Sequence, residues 1–149
     1  MDPNDDELLR MYCRSAMAGV WGISADLPKI APRQQSVIRH EIQHYRQLHQ
    51  LHSGALYDLE LPRPGAETAG VTFYDPSGRS AGAVLFRWDR TGAFEHGLCI
   101  GRLRDDWWYR VRDADSGTSF RALGTTLRQG IPVRFAEARL SAMLFIERD

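Results

Sequence analysis

From residue 55 onward the chain reads as a series of short apolar segments cut apart by turn signals, and this constrains its fold more than any other feature. ALYDLEL, GVTFYD, SAGAVLFRW, AFEHGLCIGRL, WWYRVRD, TSFRAL, IPVRF and ARLSAMLFIE are candidate strands. Between them lie PRPGAET, DPSG and ADSG, whose Pro, Gly, Asp and Ser residues favour tight reversals. Strands this short, joined by turns too brief for crossover helices, must pair antiparallel. Seven or eight of them predict an antiparallel β-sandwich. GTTLRQG, residues 124–130, is a turn or a single helical turn.

The first third has a different character. DDELLRMY, residues 5–12, has acidic residues where a helix begins. CRSAMAGVWGIS, residues 13–24, is nearly all small or apolar without helical periodicity. Such a run suits a strand buried on both faces, as in a parallel sheet, and a buried helix fits it too. After the loop ADLPKIAP, residues 33–52 form the clearest helix, with Gly54 placed to end it. On a helical wheel Ile38, Ile42, Tyr45, Leu48, His49 and His52 share one side. That stripe is expected to be buried, with His40 and His44 on the polar side.

With 149 residues, 43% hydrophobic and 26% charged, the chain is of one-domain size and globular. Nineteen basic and 19 acidic side chains cancel, which argues against a nucleic-acid or anionic-membrane footprint. Cys13 and Cys99 have no metal-ligand spacing and are expected to be buried thiols. The acidic N-terminus is unlike a signal peptide and no apolar run reaches membrane-spanning length, so the expectation is a cytoplasmic protein.

Within the helix, His40-Glu41-Ile42-Gln43-His44 matches H-E-x-x-H, in which two histidines one turn apart hold zinc and the glutamate acts as base. The extended motif needs a glycine and a third histidine downstream, but those positions hold Gln47 and Gln50. The pattern is therefore read as a solvated face, with a zinc metallopeptidase through His40, Glu41 and His44 as the lesser alternative and no cofactor or metal expected. Asp105-Asp106 and the DADSG segment, residues 113–117, read as turns. Trp107, Trp108 and Tyr109 are core aromatics or, alternatively, a sugar-stacking platform that would make the chain a carbohydrate-binding module.

Taken in order, CRSAMAGVWGISADLPKIAP, IQHYRQLHQLHSGALYDL, WYRVRDADSG and LGTTLRQGIPVRFAEARLSAMLFIE resemble the C-terminal end of melibiase-type α-galactosidases, glycoside hydrolase family 36. The resemblance spans about residues 10 to 148. It implies a mainly β fold: residues 1–53 as the last strand and helix of a (β/α)8 barrel, then an antiparallel β-sandwich over 54–149. It also implies cleavage of terminal α-galactosides in a full-length enzyme by two aspartates on earlier barrel strands. Neither aspartate has a counterpart here, so no catalytic residue carries over and the isolated chain is expected to be inactive. The resemblance places HEIQH in the last barrel helix. If residues 15–23 are the last strand, Trp21, Ser24 and Asp26 lie near its C-terminal end, where barrel active sites form. They are the substrate-binding candidates, with Asp26 also suited to cap the next loop. The partners implied are an upstream barrel chain or further copies of this chain, with an α-galactoside bound only in a complete barrel. A lone barrel strand without parallel neighbours would expose apolar faces and favour self-association.

Overall fold

The computed structural model describes residues 5–52, 54, 56–61, 64–65 and 67–149. All eight strands expected from the sequence are present: β1 Leu56–Glu60, β2 Thr68–Tyr74, β3 Ser80–Arg87, β4 Phe94–Leu98, β5 Trp108–Asp113, β6 Ser119–Leu123, β7 Ile131–Phe135 and β8 Ser141–Arg148. Helices α1 (Asp6–Ala16) and α2 (Pro32–His52) precede them, and α3 (Gly124–Gln129) lies between β6 and β7. The fold is mainly β and every strand pair is antiparallel. A six-stranded sheet, ordered β1-β2-β3-β8-β5-β6, faces a two-stranded sheet of β4 and β7.

The six-stranded sheet is covered on both faces. Ala81, Ala83 and Leu85 of β3, with Ala142, Leu144 and Ile146 of β8, pack with the small sheet and α3. The alternate residues Val84, Met143 and Phe145 pack under α1 and α2. Successive strand residues point to opposite faces, so two apolar faces require an unbroken apolar run. This is why SAGAVLF and SAMLFI do not alternate with polar residues. Gly82 lies under α2, where an added Cβ would stand 2.6 Å from Leu48 Cδ1. The glycine lets the helix approach the sheet. Two core tyrosines fix loops from within: Tyr74 Oη accepts from the Gly101 amide (3.2 Å), and Tyr109 Oη donates to the Gly78 carbonyl (2.7 Å).

The strand expected over residues 15–23 is not formed. Asp5 caps α1 by accepting from the Leu8 amide (2.9 Å), and the helix continues through Cys13 and Arg14 to Ala16. Residues 18–26 then run without a ladder to a 3-10 turn at Leu27–Lys29. A strand needs a neighbour for its backbone groups, and every described ladder joins strands within residues 56–148.

The buried stripe of α2 also differs from the wheel. Ile38, Glu41, His44, Leu48 and Leu51 face the sheet and α1, whereas His49 is exposed. The helix is rotated toward a charged partner that the wheel does not contain.

Candidate functional site

Trp21 and Ser24 line one groove of about 470 Å³ between α1, the 17–30 segment and α2, together with Tyr12, Cys13, Ile23 and Ile38. Trp21 meets Tyr45 edge to face at 5.6 Å, and its amide donates to Tyr45 Oη at 3.4 Å. Tyr45 Oη in turn donates to the Gly19 carbonyl at 3.5 Å. One α2 side chain thus holds the linker at two points. The groove rim is apolar and open: Val20 is 96% exposed, and Tyr12, Ile23 and Leu27 are exposed beside it. Asp26 does not join the groove. Its side chain pairs with Lys29 at 2.9 Å in solvent and its carbonyl accepts the Lys29 amide, so it anchors the 3-10 turn. Burial pushes the Cys13 thiol up to about 11, which keeps it protonated and unreactive. Cys99, in contrast, is exposed, contrary to the expectation of burial.

Behind the groove is a buried charge network. Arg14 is fully buried on α1. Its guanidinium donates to both oxygens of Glu41 on α2 (3.0 and 3.1 Å). It also donates to both oxygens of Asp115 in the β5–β6 turn, one at 3.0 Å, and to Ser141 Oγ of β8 (3.3 Å). Arg139 reaches Asp115 at 2.7 Å and Asp113 at 3.0 Å from the far side. Burial alone would raise the two central carboxyls. For Asp115 the hydrogen bonds and charge of Arg14, with Arg139 and Arg10 adding to them, outweigh burial and bring it down to about 2. For Glu41, His44 and Arg14 do the same and hold it below the usual carboxylate range.

This settles what the H-E-x-x-H residues do. Glu41 is clamped by Arg14, and His44 is packed inward beside it, Nδ1 3.6 Å from Glu41 Oε1. His44 is therefore buried, not on the polar side as the wheel placed it. His40 is exposed and meets the His44 ring edge to face. Among the described residues no group of three or more His, Cys, Asp or Glu side chains is arranged to hold a metal ion. Neither DADSG carboxylate is free: Asp113 accepts the amides of Asp115 and Ser116, closing the turn, and Asp115 faces Arg14.

Trp107 and Trp108 do not form a shared platform. Trp107 is half-buried against the sandwich core, with Arg148 over its ring at 3.8 Å and Arg104 at 5.6 Å. Trp108 is 48% exposed, with Arg121 over it at 5.2 Å. These guanidiniums occupy ring faces that a sugar would need.

Sequence reading missed Arg14, Glu41 and Asp115 as a unit. One signal was present: a lone arginine inside the apolar run CRSAMAGVW requires a buried acceptor. Nothing local points to Asp115, 101 positions away.

No described helix is long and apolar enough to cross a membrane. No protein-family model matches the sequence, and no curated protein matches it. Solved structures do match. A variant of the glycoside hydrolase family 36 α-galactosidase AgaA from Geobacillus stearothermophilus, in complex with stachyose, aligns over 95% of this chain with a TM-score of 0.79 at 17% identity. The galactosidase domain of the α-galactosidase–sucrose kinase AgaSK aligns over 92% with 0.72 at 20% identity. The α-galactosidase of Lactobacillus brevis aligns over 92% with 0.71 at 16% identity. In each case the match covers 19% of the other chain. This chain is therefore similar in fold to a segment amounting to about a fifth of a family 36 α-galactosidase.

Proposed function

We propose that the chain is the C-terminal part of an α-galactosidase-type glycoside hydrolase. Residues 1–53 would be the end of its barrel and 54–149 the sandwich that braces it. The observation that carries this reading is the fold match over 92–95% of the chain to enzymes about five times longer. The order of the four sequence motifs agrees with it. In this reading the chain is non-catalytic alone, because the two carboxylates of the double-displacement chemistry belong to a barrel supplied by a partner chain. The open rim of Tyr12, Val20, Ile23 and Leu27 is the face that such a barrel would cover. Trp21 and Ser24, which share the groove beneath that rim, would reach a terminal galactoside in the completed enzyme. Asp26 contributes by holding the turn. A cytoplasmic setting is supported by the two unpaired cysteines.

Hydrolysis of a chromogenic α-galactoside tests this reading. The purified chain is expected to give no turnover above solvent background. Immobilised chain incubated with lysate of its source cell is expected to retain α-galactosidase activity, and an Ile23→Asp variant to lose it. Turnover by the purified chain would overturn the proposal, since carboxylates within these residues would then be doing the chemistry. Failure of the immobilised chain to retain activity would remove the barrel partner.

A further inference from the structure

The sandwich is open at one end. Two strands face six, so the small sheet covers the inner face of β1 and β2 only in part, with His96 of β4 reaching Glu60 and Thr68. A cleft of about 680 Å³ occupies this gap, walled by β1, β2 and β3 on one side and by Gly97, Leu98 and Cys99 of and after β4 on the other. Its volume is within the roughly 300–1,000 Å³ typical of small-molecule sites.

The cleft lining differs from the adjoining core. Asp58 stands opposite Thr72 in the β1–β2 register, and Glu60 follows on the same face. Both carboxylates are part-exposed and have a basic neighbour. Asp58 Oδ1 accepts from Arg102 Nε at 2.7 Å. Glu60 Oε1 lies 2.8 Å from His96 Nε2 and 3.4 Å from Thr68 Oγ1, while His96 Nδ1 lies 3.1 Å from that same hydroxyl. Thr72 is only 4% exposed. Its hydroxyl meets no hydrogen-bond partner among the described residues, although it lines the cleft. The hydroxyl is open to the cleft, where a ligand would give it a hydrogen-bond partner. Leu85 and Leu98 provide apolar surface beside these polar groups.

We propose that this cleft binds a neutral polyhydroxylated ligand, a mono- or oligosaccharide. The two carboxylates accept hydrogen bonds from hydroxyls, and such charge-assisted bonds are the strong ones. Leu85 and Leu98 suit the C–H face of a sugar ring. An anionic ligand would meet two carboxylates, and a cationic one would have to compete with Arg102. The site is distinct from the Trp21 groove and from the Trp107–Trp108 pair, and it requires no barrel, so it stands independently of the proposed function.

Titrating the ¹⁵N-labelled full chain with galactose, glucose and raffinose, followed by amide NMR, tests it. The expected result is saturable shifts at Glu60, Thr72 and Gly97 with a Kd on the order of 1 mM. Thr72→Val keeps the side-chain shape and removes an unpaired hydroxyl, so folding should be unharmed while affinity falls about tenfold. Glu60→Gln should weaken binding by a similar factor. Glucose 6-phosphate should not bind. Three results would each overturn the proposal: no saturable shift at about 100 times the expected Kd, shifts confined to Trp21–Ser24 or Trp107–Trp108, or unchanged affinity in Thr72→Val.

Discussion

On one face of the six-stranded sheet, β4, β7 and α3 deliver Leu98, Leu127, Ile131, Val133 and Phe135 onto β3, β5 and β8, and the buried arginine on that side, Arg87 of β3, donates to the backbone carbonyls of Asp89, Thr91 and Gly92 beside the Phe94 ring. On the other face α1 and α2 also bring apolar groups, Met17, Ile38, Leu48 and Leu51. There, however, a buried arginine is joined to carboxylates from two further elements. The difference separates two ways of fixing elements on a sheet. Apolar burial scales with area and tolerates small shifts. A buried ion pair adds little net stability, but it penalises every arrangement that leaves a charge unpaired. The helical face is therefore the one whose position is specified most narrowly, and it is also the face that carries the Trp21 groove.

The largest effect is expected on the apolar side. Phe135→Ala removes a fully buried ring and should cost about 3–5 kcal/mol. Chemical denaturation should show loss of both faces together, because β8 belongs to both. Helices that stayed protected while the sandwich unfolded would break the comparison.

Arg14→Met should cost about 3 kcal/mol, since it leaves Glu41 buried without its clamp. Hydrogen exchange should show α1 and α2 opening before the strands. The double variant Arg14→Met/Glu41→Leu should recover most of the loss, because the buried Glu41 charge is removed with its clamp while Asp115 keeps Arg139. If the double variant is as unstable as the single one, the cost lies in packing and not in charge.

The smallest effect is electrostatic. Asp115 is lowered from 3.8 to about 2 in the folded chain. A depressed carboxylate stabilises the fold above its unfolded pKa, and that contribution is lost as pH falls through the folded value. Stability should therefore drop by about 2 kcal/mol between roughly pH 4 and pH 2 from this residue. Asp115→Asn should flatten that part of the profile. An unchanged slope in Asp115→Asn would assign the acid sensitivity to other carboxylates.

The sequence by itself determined the parts governed by local pattern. The strands from Leu56 to Arg148, the DPSG and ADSG turns and the long α2 helix follow from apolar runs broken by Gly, Pro, Asp and Ser, and they formed where those signals lie, while residues 62, 63 and 66 of the PRPGAET loop lie outside the described residues. The groove was half legible, for Trp21 and Ser24 share it and Asp26 does not. Tertiary structure decided the rest. Residues 15–23 carry a strand-like composition, but no described strand pairs with them, so the backbone is helical and then irregular. Glu41 and His44 look solvent-facing on a wheel, yet a buried arginine on another helix draws them inward. The β1–β4 cleft exists only because two sheets of unequal width face each other. Each of these depends on partners tens of residues away in the chain, and a periodicity of two or 3.6 residues carries no information about them.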